Sequence, residues 1–169
     1  MNYVDGRLHV TDLDAFVETL DEIGEEYDCA VQAFDATRIV DEAHLRSAVE
    51  HANRAFERGE NVARERSVEI LLYAAGRRQI SRALELGVAA DEPDQPVVVV
   101  ADGEDEADET AALRAVETRV DLEPASVLDE VDEDAVEAFF DITDAERRAS
   151  SADLSALVRE RVALLDVEK

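Results

Sequence analysis

Residues 97–101 read Val-Val-Val-Val-Ala and form a continuous apolar run. The run follows a loop bracketed by Pro93 and Pro96. A short, uninterrupted apolar run is typical of a strand buried inside a sheet. It therefore predicts a buried β-strand around which the other elements can be placed.

Two further strands and one helix are predicted before this run. Residues 7–10 and 29–34 are the strand candidates. Between them, apolar residues recur at helical spacing, with Thr11 or Asp12 as the helix cap and Gly24 at the end of the run.

Two long helices are predicted in the middle of the chain. Asp41 is expected to cap the first, and Gly59 to close it. Ser67 is the expected cap of the second, which continues through Gly76 to Gly87. A glycine inside a helix is less favourable than alanine, so Gly76 predicts a kink or the close approach of another segment.

The rest of the chain is predicted to be mainly helical. Residues 102–109 are acidic and are expected to form a solvated loop. Helices are expected at about 110–119 and 132–140, and apolar spacing from Leu154 to Leu165 predicts a last amphipathic helix.

Strands that alternate with helices favour an α/β or α+β layer fold. We expect a small central β-sheet that contains residues 29–34 and 97–101 and is covered by several helices, including 41–58 and 67–86. Neither an internal repeat nor a low-complexity linker is present, so a single compact domain spanning residues 1–169 is predicted.

The acidic excess is the most unusual property of the composition. The 169 residues include 43 Asp and Glu against 17 Lys and Arg, for a net charge of −26. Lys169 is the only lysine, so the other 16 basic residues are arginine. Because net charge resists association and concentrated salt screens the self-repulsion, this composition predicts a protein from a salt-loving cell.

Hydropathy and cysteine content predict a soluble, cytoplasmic protein with no membrane partner. The apolar fraction of 46% is ordinary for a globular chain. No run approaches the roughly 18 apolar residues of a membrane span, and the first residues lack the basic and apolar regions of a signal peptide. Cys29 is the only cysteine, so neither an intramolecular disulfide nor a thiolate metal site is expected.

The middle of the chain departs from the overall acidity. Between Arg38 and Arg82, nine arginines stand against seven acidic residues, a local charge of +2, while the rest of the chain carries −28. A shielded interface or an anion-binding site would explain why this segment is spared. Pairing of arginine with neighbouring glutamate on helices is the alternative.

Residue types that carry catalysis are scarce. Phosphate-loop, dinucleotide-binding and nucleophile motifs are absent, and no lysine precedes Lys169. His44 and His51 lie seven residues apart on one helix, roughly 10 Å along its axis and too far to share a metal. We expect partly exposed histidines, with His44 as a residue that could line a binding surface, and we expect no metal, no cofactor and no enzymatic activity.

Residues 77–82 (Arg-Arg-Gln-Ile-Ser-Arg) form the most distinctive cluster. On a helix, Arg78, Gln79 and Arg82 would share one face directly after Gly76, where glycine permits a close approach. Arginine offers fork-shaped donors to phosphates, and glutamine offers an amide to base edges.

The same helical phase would turn Ile80, Ala83 and Leu84 inward. A solvated helix face paired to Glu69 and Glu85 is the alternative interpretation of the cluster. The residues alone do not decide between the two.

Two blocks of sequence resemble one protein family. They are residues 39–45 (Ile-Val-Asp-Glu-Ala-His-Leu) and 69–80 (Glu-Ile-Leu-Leu-Tyr-Ala-Ala-Gly-Arg-Arg-Gln-Ile). The chain is similar to the small kinase-binding subunit of the KEOPS complex, which makes N6-threonylcarbamoyladenosine in tRNAs that read codons starting with A. The match is tightest over about residues 30–100, and the last amphipathic helix also fits.

This resemblance implies a non-catalytic accessory subunit with a small α/β fold. Family members dock on the N-lobe of the kinase-like ATPase of the complex and bind the 3′ CCA end of tRNA. The implied partners are therefore that ATPase subunit and tRNA, with no small-molecule substrate.

Carried onto matching positions, the resemblance gives candidate site residues. The RNA-binding candidates are Arg77, Arg78, Gln79, Ile80 and Arg82, with His44, Arg46 and Arg64 as outer candidates. Leu157 and Val158 on the last helix are the candidates for contact with the kinase subunit, and an ordinary place in the core is the alternative for both.

Two other functions stay open at this point. A pure protein-interaction or regulatory module of the kinase subunit would need no RNA contact. An enzyme with an unrecognised carboxylate site is disfavoured by the missing motifs.

Overall fold

The computed structural model describes residues 1–168, which divide into two compact units. The sheet unit comprises residues 1–36 and 87–127, and the helical unit comprises residues 37–86 and the chain from 128 onward. The strands are β1 (Asn2–Leu8), β2 (Ala30–Asp35), β3 (Gln95–Asp102) and β4 (Glu123–Pro124). The helices are α1 (Leu13–Tyr27), α2 (Glu42–Arg58), α3 (Arg66–Ala75), α4 (Ile80–Ala83), α5 (Glu106–Arg119), α6 (Glu133–Phe139), α7 (Asp144–Ala149) and α8 (Leu154–Glu168).

The sheet unit is built on an antiparallel sheet in the order β2-β3-β1-β4. Val99 of β3 lies opposite Val4 on one side and Ala33 on the other. Val97 and Val99 belong to the core of this unit, and Val98 and Val100, which alternate with them, are also fully buried. The predicted buried strand is confirmed and extends from 95 to 102.

Helices α1 and α5 pack on each other and on the strands of this unit. Asp12 caps α1 as predicted, because its carboxylate accepts from the Ala15 N–H at 3.0 Å. The helix continues past Gly24 to Tyr27 and ends on Asp28 in the left-handed conformation, so the predicted end was three residues early. The first strand, predicted at 7–10, lies at 2–8 instead.

The acidic stretch 102–109 is not a solvated loop. Helix α5 already begins at Glu106, capped by Asp105. Asp102 and Glu109 are buried, and their carboxylates lie 3.2 and 2.8 Å from the amino group of Met1. Glu109 also accepts from the Gly103 N–H at 3.0 Å. These partners satisfy the two carboxylates inside the unit, as burial of charge requires.

The helical unit packs α2 against α3 and α8, with α4 beside α3. Asp41 caps α2 through the His44 N–H at 2.9 Å, and Gly59 ends the helix in the left-handed conformation, so both predicted ends are confirmed. A second apolar cluster joins α6 to α8. Its buried members are Val136, Phe140, Ile142, Leu154, Leu157 and Val158.

The helix predicted over 67–86 is two helices. Glu65 rather than Ser67 stands at the N-cap of α3, and it makes no side-chain capping bond. The helix ends at Ala75, because Gly76 is left-handed with φ 58°. A Cβ at Gly76 would lie 3.2 Å from the backbone oxygen of Arg161 on α8, which confirms the expected close approach.

The fold class is α+β, as predicted, with a small sheet and several helices. The short strand β4 and helix α7 were not predicted. A single domain over residues 1–169 remains a prediction. Within residues 1–168, every helix is too short or too polar to cross a bilayer.

Candidate functional site

The distinctive arginine cluster lies on a turn between α3 and α4. The Gly76 N–H donates to the Tyr73 carbonyl and the Arg77 N–H to the Leu72 carbonyl, both at 3.0 Å, which closes α3. Gln79 has an extended backbone and starts α4, since its carbonyl accepts from Arg82 and Ala83. Residues 77–79 are therefore not helical, and the predicted single helical face is wrong.

Four of the five leading RNA-binding candidates are nevertheless exposed to solvent. Arg78, Gln79, Ile80 and Arg82 are all exposed. Ile80 and Leu84 were expected to point inward, but their exposed fractions are 46% and 58%. The break at Gly76 changes the helical phase, so that only Ala83 of that apolar set is buried. We call Arg78, Gln79, Ile80, Arg82 and Leu84 the 78–84 surface.

Arg77 is held by the structure rather than presented to solvent. Its guanidinium donates to the Phe139 carbonyl at 2.5 Å and lies 3.3 Å from the Asp141 carboxylate. It also sits over the Phe139 ring, 5.4 Å from the ring centre. These contacts tie the turn to the end of α6, so Arg77 positions the 78–84 surface.

Arg78 contacts the last turn of α8, where it donates to the backbone carbonyl of Glu168. Asp166 fixes that turn, because it accepts from the Tyr73 hydroxyl at 2.5 Å and lies 2.6 Å from Nδ1 of His51. Burial, followed by the Asp166 carboxylate, raises the pKa of Tyr73 far above its ordinary value, so its hydroxyl stays a donor.

His44 is not a surface residue. Its side chain is fully buried between α2 and α3, where Nε2 lies 2.8 Å from the Ala74 carbonyl. The Val40 N–H donates to Nδ1 at 3.4 Å, so Nε2 carries the proton of the neutral ring. Burial lowers the pKa of His44 to about 4, against the opposing effects of Ala74 and Asp41. The expectation that His44 lines a binding surface is therefore wrong.

The two outer arginines lie on separate elements. Arg46 is exposed on α2 and pairs with Glu42 one turn earlier at 2.6 Å. Arg64 is exposed in the loop before α3. That loop is shaped by Glu69, which is fully buried and accepts from the Val62 and Ala63 N–H groups at 3.0 and 2.8 Å.

The proposed kinase contacts Leu157 and Val158 are core residues. They are 4% and 0% exposed and belong to the apolar cluster between α6 and α8. An amphipathic helix must bury its apolar stripe, and here it does so within its own unit. The ordinary core interpretation is the correct one.

Neither a metal site nor a buried unsatisfied polar side chain is found in the part of the chain that the structure describes. The exposed turn that carries Arg78 and Arg82 is therefore the candidate functional site. Leu84 also belongs to this surface, although its helical phase had predicted an inward-facing side chain.

The protein family described as kinase binding protein CGI-121 matches residues 9–166. The chain belongs to the CGI-121 family. This match confirms the resemblance based on residues 39–45 and 69–80, and it includes the whole 78–84 surface. No curated protein matches the chain significantly. As a CGI-121 protein, the chain is a kinase-binding accessory protein of the KEOPS type.

Proposed function

We propose that this CGI-121 protein binds the kinase-like ATPase subunit of the KEOPS complex and recruits tRNA to it through the single-stranded 3′ CCA end. In this role it contributes no catalytic group itself. The observation that carries the RNA part is the 78–84 surface, where two arginines and a glutamine lie exposed on one turn.

The charge of this surface supports an anionic partner. Arg78 and Arg82 lie four residues apart with no acidic residue between them, in a chain of net charge −26. Arginine presents paired N–H donors that match phosphate oxygens, and it keeps its charge at any physiological pH. This turn can therefore bind the phosphates of an RNA strand even though the chain as a whole is strongly acidic.

The rigidity of the turn supports a defined strand rather than a diffuse attraction. Arg77 anchors it to the end of α6, and Gly76 sits against Arg161. A pre-ordered surface loses less conformational entropy when it binds. A single-stranded end, with exposed bases and a flexible backbone, can adapt to such a fixed surface.

The acidic composition supports the further proposal that the protein works in a salt-loving cytoplasm. In molar salt the Debye length is about 3 Å, so long-range steering of RNA is nearly lost. Short-range contacts from fixed arginines then have to carry the binding.

The test compares two double variants of equal charge change. Arg78→Glu/Arg82→Glu alters the 78–84 surface, while Arg54→Glu/Arg58→Glu alters two exposed arginines one turn apart on α2. We expect the first to weaken tRNA binding by roughly a hundredfold, about 3 kcal/mol, through lost charge-assisted bonds and added repulsion. The second should change affinity by much less.

Mobility shifts in molar KCl with intact and CCA-trimmed tRNA measure both effects, and a pull-down with the kinase subunit is run in parallel. Trimming the CCA end should lower the tRNA affinity of the parent protein. It should not change the already weakened affinity of the Arg78→Glu/Arg82→Glu variant. Equal affinity of parent and that variant for intact tRNA, with both folded, would overturn the proposal.

A pure protein-interaction module is the second candidate, favoured by the exposed apolar side chains of Ile80 and Leu84. In that case the Arg78→Glu/Arg82→Glu variant would lose the kinase subunit rather than tRNA.

A further inference from the structure

Three residues of α8 contact the segment that leads from α3 into the 78–84 surface. They are the Arg161 carbonyl, which lies against Gly76, the Asp166 carboxylate, which accepts from the Tyr73 hydroxyl, and the Glu168 carbonyl, which accepts from Arg78. Helix α8 therefore follows this segment along its length, and the position of the turn depends on the position of the end of α8.

The end of α8 is held by polar contacts rather than by apolar burial. Leu165 is the last buried residue of the helix, at 1% exposed, and Val167 after it is 80% exposed. The last turn is therefore tied to the rest of the unit through Asp166 and through the carbonyl of Glu168. A helix end held by so few contacts can open locally while the fold stays intact.

The Asp166 carboxylate joins this last turn to two other helices. One oxygen accepts from the Tyr73 hydroxyl of α3, and the other lies 2.6 Å from Nδ1 of His51 on α2. Because an ionised carboxylate only accepts hydrogen bonds, Nδ1 carries the proton of the second contact. The two rings stack with their centres 5.6 Å apart. The Tyr73 side chain is buried and Asp166 is 37% exposed, so the carboxylate can leave both rings by moving into solvent.

We propose that Asp166 is a positioning residue whose carboxylate acts as a latch. While the latch is closed, the last turn of α8 and the turn at residues 76–79 are ordered together, and when it opens they loosen together. The latch is a property of the free protein. Only its effect on tRNA affinity rests on the function proposed above.

The contacts on either side of the turn explain why the two segments respond together. Opening removes the acceptor of the Tyr73 hydroxyl before the turn, and it frees the Glu168 carbonyl that holds Arg78 after the turn. Arg77 keeps its bond to the Phe139 carbonyl, so the turn loosens rather than unfolds.

The experiment measures amide hydrogen exchange at Gly76 and Arg77 in variants of the intact chain. Both N–H groups donate to carbonyls of α3, so their exchange reports the order of the turn. Asp166→Ala removes both latch contacts and should accelerate this exchange about tenfold. Tyr73→Phe keeps the stacked ring and removes only the hydroxyl, so the acceleration should be about threefold.

Two variants with the same charge change separate the latch from a simple loss of negative charge. Glu168→Ala removes an acidic side chain from the same turn and leaves the backbone carbonyl that Arg78 uses, so exchange should rise by less than about twofold. Asp166→Asn keeps an oxygen that accepts from Tyr73 and gains an N–H that donates to the other tautomer of His51. It should therefore restore exchange nearly to the parent rate.

A general loss of stability is distinguished by the Ala48 amide in the middle of α2. General unfolding would accelerate Ala48 and the turn equally, whereas the latch predicts the larger change at the turn. The variant Tyr73→Phe/Asp166→Ala should exchange at the turn as Asp166→Ala does, because the two changes break the same bond.

The same variants are then tested for tRNA affinity in molar KCl. Asp166→Ala should bind about threefold more weakly, because a loosened turn has to be ordered again on binding, and Glu168→Ala should bind as the parent does. Parent-like exchange at the turn in Asp166→Ala, or equal acceleration by Glu168→Ala, would overturn the latch. Faster exchange with unchanged tRNA affinity would overturn its role in positioning the 78–84 surface. Normal tRNA binding by Arg78→Glu/Arg82→Glu would overturn the proposed function and leave the exchange result, and with it the latch, standing.

Discussion

Helix α2 and the segment from α3 to α4 have similar sequence patterns and different structures. A left-handed glycine ends α2 and another ends α3, with φ 68° at Gly59 and φ 58° at Gly76. In α2 the apolar pattern stops where the glycine ends the helix. In the second segment the pattern continues past the glycine, but the helix does not. An unbroken apolar phase therefore does not guarantee an unbroken helix.

The difference follows from what surrounds each glycine. A Cβ at Gly59 would meet nothing within 4 Å, whereas one at Gly76 would lie 3.2 Å from the Arg161 carbonyl. The break at Gly76 is therefore tied to the packing of α8. Its consequence is that Ile80 and Leu84 become exposed beside two arginines. The three predictions below concern the packing of α2 on α3 and the ends of the two helices, starting with the largest expected effect.

Acid should lower the stability of the fold through His44, which lies at the contact between α2 and the end of α3. The folded state keeps His44 neutral with a pKa of about 4, while the unfolded chain takes up the proton near pH 6.5. Its contribution to stability is therefore complete above about pH 6.5 and falls as the pH drops toward 4, by about 3 kcal/mol in all.

Urea unfolding in molar KCl between pH 7 and 4.5 measures this loss. Because carboxylates also titrate at the lower end, His44→Gln is the reference, and it should show a shallower fall between pH 6.5 and 5. Parallel curves for the two proteins would contradict the prediction.

Replacing the two glycines by alanine should reveal their different surroundings. Gly59→Ala should cost about 1 kcal/mol of unfolding free energy, since the left-handed backbone is strained for alanine and space is available. Gly76→Ala adds the contact with the Arg161 carbonyl, so we expect about 2–3 kcal/mol. Chemical denaturation of both variants is the measurement, and equal losses would show that α8 does not constrain the turn.

The helix starts should differ in the opposite direction, with the larger loss at α2, and by less. Asp41→Ala removes the carboxylate that caps α2 and should cost about 1 kcal/mol. Glu65→Ala at the start of α3 removes no capping bond and should cost only a few tenths. A larger loss for Glu65→Ala in denaturation experiments would mean that its side chain supports α3 in another way.

The features that could be predicted from the sequence are those fixed by neighbouring residues. The ends of α2 follow from Asp41 and Gly59, which act on the helix that they flank. The strand at 95–102 follows from its valine run, which is too apolar for any exposed position. The arginine cluster is evident from the sequence because local charge density needs no structure, and its role as a binding site stays a prediction.

The wrong predictions concern residues whose burial or exposure is determined by segments distant in the sequence. Leu157 and Val158 form the same apolar stripe whether the helix covers a core or a partner, so the sequence does not separate the two. His44 is buried because α3 lies over it, a contact thirty residues away. The exposure of Leu84 follows from the turn at Gly76, which packs against the Arg161 carbonyl of α8.

The bond from Arg78 to the end of α8 has a consequence for how a ligand would bind. No hydrogen bond or ion pair joins the Arg82 side chain to another residue within 1–168, whereas Arg78 already donates to the Glu168 carbonyl. An incoming phosphate can be added at Arg82, but it must either share Arg78 with that carbonyl or displace it. Displacement would exchange one acceptor for another, so the net gain at Arg78 is smaller than at Arg82. It would also leave the Glu168 carbonyl without the Arg78 donor, while Asp166 still holds the last turn of α8 through Tyr73 and His51.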